Sequence, residues 1–252
     1  MSFIVGRSCH RLLGFVATAI LMVAMASVAN ASIELAKWTF ETSVPTTAGP
    51  FTAEAGVNAA TSSALGLHAD AATAYSNPVG NGSSESFSST RWAIGDYYQF
   101  STSSLGYENI RLAWSQGSSN EGPREFNLLY DFGSGFTLFG SLTVIANASP
   151  NPVWSSGTHQ ALYDLSFDLS AITGLDNQSS IVFRLVDKST VSANGGTVTT
   201  SGTNRVDDFT ISADAIGTAA VPETSALLMW ATLCGTVLVG WKLGRGIVGT
   251  SP

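Results

Sequence analysis

Apolar and polar residues alternate with a period of two in a series of short segments, most clearly in Tyr163-Asp164-Leu165-Ser166-Phe167-Asp168-Leu169. Every second side chain there is apolar, the pattern of a strand with one face buried and the other in water. The same pattern predicts strands around Trp38 and Phe40, Tyr98 and Phe100, Ile110 to Trp114, Phe126 to Phe132, Ile181 to Leu185, and Phe209 with Ile211. Turn-forming clusters separate them: Asn81-Gly82-Ser83, Gly117-Ser118-Ser119-Asn120, Gly133-Ser134-Gly135, Ser149-Pro150-Asn151-Pro152 and Asn194-Gly195-Gly196. Many short strands joined by polar turns predict an all-β fold, an antiparallel β-sandwich of jelly-roll type. Two stretches read differently. From Phe51 to Ser89 large apolar residues are sparse, which predicts long loops with one or two weak strands, and Ser189 to Thr203 predicts a surface hairpin or loop leading into the last strand.

Helix-compatible apolar runs occur only at the two ends. Arg7, His10 and Arg11 precede the run Leu12 to Ala26, and Ala29-Asn30-Ala31 follows it, the three parts of a cleavable secretory signal over residues 1–31, cut after Ala31. At the other end Val221-Pro222-Glu223 precedes eighteen uncharged residues, 224–241, and then Lys242 and Arg245. As a helix that run spans roughly 27 Å, about one hydrocarbon core. Basic residues beyond it favour a cytoplasmic tail, so the domain faces outward. The expected organisation is a sandwich domain at 32–214, a linker at 215–220, the signal with its transmembrane helix at 221–246 and a tail at 247–252.

This layout resembles the PEP-CTERM sorting signal of Gram-negative bacteria. Val221, Pro222 and Glu223 match its motif; Thr224 stands where the family has a second proline, and Lys242 with Arg245 replaces an arginine cluster. The resemblance implies signal peptidase and an exosortase-type enzyme as processing partners. It also implies tethering to the inner membrane before release to the cell surface or extracellular matrix. The body of the chain, from Trp38-Thr39-Phe40-Glu41 to Val206-Asp207-Asp208-Phe209, is similar to jelly-roll modules of exported bacterial proteins. Gly95-Asp96-Tyr97-Tyr98-Gln99-Phe100, Gly106-Tyr107-Glu108-Asn109-Ile110, Gly122-Pro123-Arg124-Glu125-Phe126 and Leu175-Asp176-Asn177-Gln178 resemble a domain found upstream of such signals. That domain brings no established catalytic residues with it. In the hairpin at 130–136, Phe132-Gly133-Ser134-Gly135 takes the place of the Asp-Gly turn expected there.

Charge and cysteine content narrow the function. Of the 18 acidic residues 17 fall within 32–221, against seven basic ones, so the domain carries 7 − 17 = −10. That balance repels nucleic acid and anionic polymers and suits calcium or neutral glycans. Cys9 and Cys234 both lie in the end segments, which removes disulfides, thiol catalysis and cysteine metal sites from the domain.

The chemistry that remains is thin. His68 and His159 share no metal-ligand spacing, and no Gly-x-Ser-x-Gly elbow is present. Glu121, Glu125, Asp164 and Asp168 are the carboxylates available to a glycosidase, although Asp164 and Asp168 sit on the polar face of an alternating strand. Among aromatics, Trp38 and Trp114 fall on core faces, while Trp92, Trp154 and Tyr97 are candidate glycan contacts. Asp207 shares the parity of Phe209 and Ile211 and is expected to lean inward, with Arg205, Glu41 or a metal ion as its partner. Glu41, Asp207 and Asp208 are thus the candidate structural or ion-binding carboxylates, calcium being the one cofactor in view. The leading expectation is a structural or adhesive, non-enzymatic surface protein, with a carbohydrate-binding module and a secreted glycosidase as alternatives. N-terminal sequencing of the protein from its native host is expected to begin at Ser32; a mature chain beginning at Met1 would contradict the cleavable leader.

Overall fold

The computed structural model describes residues 32–217; the leader, the Val-Pro-Glu motif and the apolar C-terminal run lie outside the described residues. Among the described residues are twelve strands: β1 Ile33–Trp38, β2 Phe51–Thr52, β3 Ser63–Leu67, β4 Tyr75–Ser76, β5 Phe87–Ser89, β6 Tyr97–Thr102, β7 Tyr107–Ser118, β8 Glu125–Asp131, β9 Thr137–Thr143, β10 Asp164–Asp168, β11 Ile181–Asp187 and β12 Asn204–Ala215. No helix among them is long and apolar enough to cross a membrane. Sheet I has the order β10-β7-β12-β5-β4, with β1 beside the second half of β12. Sheet II has the order β2-β3-β6-β11-β8-β9. Every strand ladder is antiparallel.

The alternation seen in the sequence fills the space between the sheets. Trp38, Tyr98, Phe100, Ile110, Leu112, Trp114, Phe126, Leu128, Ile181, Phe183, Leu185, Phe209 and Ile211 all belong to one buried cluster. Each such side chain contributes about 1.5–3 kcal/mol through burial. The sheets are joined most closely where Phe100 of β6 stacks on Phe209 of β12, ring centres 3.6 Å apart and planes at 2°. Trp38 closes on both rings and Trp114 on Phe209.

The sparse stretch from Phe51 to Ser89 holds four short strands rather than one or two, one of them the sheet II edge and another the sheet I edge. Its small residues form edges, where burial on both faces is not required, so they leave little periodic signal. Glu54 ties this stretch to the turn after β1. Its carboxylate accepts the backbone N–H groups of Glu41, Thr42 and Ser43 and the hydroxyls of Thr39, Thr42 and Ser43. Although burial alone would raise it, those donors hold Glu54 down at about 2.

β12 departs from the expected parity. Asp207 pairs with Ser115 and Thr210 with Ala113, so Asp208 and Phe209 together stand opposite Trp114. This β-bulge puts Asp208 at φ 53° and flips the alternation. Val206 and Phe209 therefore both enter the core, and Asp207, on the Ser115 side, faces outward. It is nonetheless fully buried, because the loop from Gly80 to Ser83 folds over it. Its Oδ2 accepts the Asn81 N–H (2.8 Å) and the Ser83 hydroxyl (2.7 Å), and its Oδ1 accepts the Asp208 N–H (2.9 Å). The expected partners are thus replaced: Glu41 instead accepts the Glu85 N–H at 2.9 Å, and the Arg205 side chain donates to the Val79 carbonyl. A side chain at Gly80 would strike Ser83 Oγ and Asp207 Oδ2, so only glycine lets this loop close.

Burial pushes Asp187 and Asp207 up to about 6, in Asp187 because Oδ2 is buried without a donor and Asp96 lies nearby. Both groups bind a proton in the folded chain at a pH where the unfolded chain has lost it. Their contribution is therefore fully present below about pH 4 and is lost as pH rises through 6. Asp187→Asn is expected to stabilise the fold at pH 8 by about 1–2 kcal/mol, after allowance for screening, and to change nothing at pH 4; equal melting shifts at both pH values would contradict this. Asp207→Ala is expected to cost about 2–4 kcal/mol in chemical denaturation, because it strands the Asn81 and Ser83 donors.

Candidate ligand-binding face

The two tryptophans that the sequence offers as glycan platforms are both plugs, which corrects that expectation. Trp92 is 6 % exposed, its Nε1 bonded to the Ser89 carbonyl and its ring packed edge-on against His68, Tyr98 and Phe126. Trp154 is 2 % exposed, wedged between Tyr163 and Arg205 above Gly117. Both positions sit beside polar loop residues, and a sequence does not show that those loops fold over the rings. Tyr97 is different. Tyr98 and Phe100 point into the core, so alternation turns Tyr97 and Gln99 outward on sheet II.

On the adjacent strand β11, Phe183 and Leu185 point inward and Arg184 outward. The ladders line up Leu65, Gln99, Arg184, Leu129 and Leu138 in one row across five strands. Leu67, Tyr97, Val186, Asn127 and Ser141 form the next row. At its centre the Arg184 guanidinium lies 4.0 Å from the Tyr97 ring centre and 3.7 Å from that of Phe136, with Nε donating to Gln99 Oε1 at 2.8 Å. Phe136 arrives from the β8–β9 connection. There Asp131 Oδ1 accepts the N–H groups of Gly133, Ser134 and Gly135 at 2.7–3.0 Å. Gly133 at φ 104° and Gly135 at φ 98° permit that wrap, so the Asp-Gly turn expected here is replaced by an Asp131-capped glycine turn. The result is a fixed aromatic and cationic patch ringed by the exposed Leu67 and Leu138 and by the amides of Gln99 and Asn127. Sequence reading passed over Arg184, Gln99 and Phe136. For Arg184 and Gln99 the available signal was outward parity in strands whose other residues are core; Phe136 lies in a connection and had none.

The outer face of sheet I is of another kind. Its floor is made of small side chains, Ala113, Ser166, Thr210 and Ser212, under two adjoining hollows of about 280 and 300 Å³ that share Ala113 and Ser166. Three ion pairs stand around them, Lys37 with Asp208 at 2.8 Å, His159 with Asp164 at 2.9 Å and Arg111 with Asp214 at 2.9 Å, and Asp168 accepts the Ser170 N–H.

Catalytic chemistry finds little support in this geometry. Ser115 donates to Asp164 Oδ1, while both ring nitrogens of His159 are engaged, with Asp164 Oδ2 and the Asn81 carbonyl. The imidazole is held above its ordinary range by the Asp164 hydrogen bond and turns no free nitrogen to Ser115, so the three are not a nucleophile, base and orienter. His68 is buried between Tyr75 and Trp92, its Nδ1 3.1 Å from Asp96. Among the glycosidase candidates, Glu121 is held low by Thr199 and Ser201, Glu125 by Ser189 and Arg124, and Asp168 by Ser170. None of these three is raised as a general acid must be. No group of three or more His, Cys, Asp or Glu side chains among the described residues is arranged to hold a metal ion. Of the candidate structural or ion-binding carboxylates, Glu41 caps a backbone N–H, Asp207 is buried in its loop and Asp208 pairs with Lys37.

No protein-family model matches the sequence, and no curated protein matches it. Solved structures similar to it include the K1 cleaved adhesin domain of Lys-gingipain from Porphyromonas gingivalis W83, at 15 % identity and a TM-score of 0.43, covering 73 % of this chain and 99 % of that one. The CBM22-1–GH10 modules of Clostridium thermocellum xylanase 10B, complexed with xylohexaose, give 12 %, 0.42, 75 % and 30 % in the same order. CBM27-1 of Caldicellulosiruptor saccharolyticus, in complex with mannohexaose, gives 13 %, 0.36, 73 % and 97 %. Likeness at this level assigns neither a family nor a ligand.

Proposed function

We propose that this chain is an exported, non-catalytic surface domain that adheres to polysaccharide through the outward face of sheet II. The observation that carries the reading is the Tyr97–Arg184–Phe136 stack, an ordered aromatic patch on a sheet face with amide hydrogen-bonding groups beside it. Sugar rings offer apolar C–H faces to aromatic rings and hydroxyl edges to amides, and the patch supplies both. It is mounted on β6, β8 and β11, strands whose opposite faces form the core, so little is left to order on binding. The lowered carboxylates and the fully engaged His159 favour binding over hydrolysis.

Delivery rests on the chain ends. The leader through Ala31, the Val221-Pro222-Glu223 motif and the apolar run after it support export by signal peptidase and an exosortase-type enzyme, ending at the cell envelope or extracellular matrix. A tethered or released adhesive domain needs many weak contacts rather than one deep site, and an open sheet face fits that need.

Affinity electrophoresis of the full chain in detergent, through gels cast with a panel of polysaccharides, tests the binding. Tyr97→Ala and Phe136→Ala are each expected to weaken retardation about tenfold, and Ser166→Ala on sheet I to leave it unchanged. Retardation by no polysaccharide, or loss only with Ser166→Ala, would overturn the reading.

A further inference from the structure

We infer that the face on sheet II takes an acidic polysaccharide, with Arg184 receiving the carboxylate of a uronic acid residue. This inference rests on the polysaccharide reading above and names its ligand class. In a domain of charge −10, a cation without a carboxylate partner is notable. Lys37, Arg91, Arg111 and Arg124 each hold one. Among the described residues Arg184, like Lys188 and Arg205, is in no ion pair, and unlike them it sits on the sheet II patch with Nε donating to Gln99.

Its setting determines which groups remain free. Both rings lie against the guanidinium and Gln99 takes the Nε edge, so the terminal N–H groups, which have no hydrogen bond among the described residues, are left to donate as a fork. A fork of that shape matches the two oxygens of a carboxylate better than any hydroxyl. The charge of Asp131 reaches Arg184, but the two form no ion pair, and Asp131 Oδ1 is turned to three backbone N–H groups of the hairpin. Leu129, Leu138, Val182 and Val186 surround the site, and partial burial already holds Arg184 below its ordinary range, so less hydration remains to be removed when an anion binds. The domain's overall negative charge discourages acidic polymers at a distance, but charges more than about 8 Å away are largely screened at physiological salt. The local pair then decides, and the stacked rings and leucines receive the sugar itself.

The test is isothermal titration of the full chain in detergent with polygalacturonate, alginate and hyaluronan, set against methyl-esterified polygalacturonate, a neutral glucan and a sulfated galactan. At least one uronate polymer is expected to bind tenfold or more tighter than the ester and the glucan. Arg184→Gln is expected to abolish that preference, and Arg184→Lys to keep only part of it. Equal or tighter binding of the ester, or binding of neutral polymers with none of the three uronates, would overturn the inference and leave the polysaccharide reading standing. Preference for the sulfated galactan would overturn the carboxylate assignment. No binding to any polymer would remove the polysaccharide reading itself. The acid-against-ester comparison needs only the unmodified chain, so an unstable Arg184 variant does not shield the inference.

Discussion

The contact of Phe100 with Phe209 is the constraint on which the rest of the domain depends. It is the closest aromatic pairing in the core, and it joins a central strand of each sheet. Once Phe100 faces inward, strict alternation sends Gln99 and Tyr97 outward, and the ladder to β11 sends Arg184 out beside them. Phe209 imposes the same requirement on β12, where Val206 must also be buried. An odd separation cannot satisfy both without an extra residue, and the bulge at Asp208 supplies it. The inward-facing rings thus specify the outward faces: a patch with apolar and cationic character on sheet II, and small, charge-paired residues on sheet I.

The bulge has a cost that the structure meets locally. Turning Asp207 outward would leave a carboxylate on the open face of sheet I, and the Gly80 to Ser83 loop covers it with two donors. Asn81 extends the same network, donating its side-chain amide to Ser115 Oγ and the Gln160 carbonyl and accepting the Gln160 N–H. Although Asn81 lies in an Asn-x-Ser sequence, its side chain is 1 % exposed and internally satisfied. This network locks the loops that lie over one end of sheet I. On the face of sheet II, by contrast, the described residues leave Leu67 and Leu138 exposed.

Much of the fold was legible because alternation in seven segments directly reflects which side chains enter the core. Tyr163 to Leu169 is the plainest case: its odd positions are wholly or partly buried and its even ones exposed or only partly covered. What alternation could not show was the bulge, since a single extra residue leaves composition unchanged and merely reverses parity, so Asp207 was placed on the wrong side. The short edge strands between Phe51 and Ser89 escaped for a related reason, having too few residues to display a period. For the candidate site, Tyr97 was legible as an outward aromatic, whereas Trp92 and Trp154 depended on loops folding over them. Arg184 and Phe136 come together only through the register of β8, β11 and the intervening turn, a long-range relation that no local pattern carries.

Hydrogen exchange of the full chain with and without a bound polysaccharide reports where the ligand lies. Protection is expected on Tyr97–Thr102, Ile181–Asp187 and the turn from Gly133 to Leu138, with the amides lining the sheet I hollows unchanged. Protection confined to Arg111–Ser115 and Asp164–Asp168 would contradict this and move the binding face to the opposite side of the sandwich.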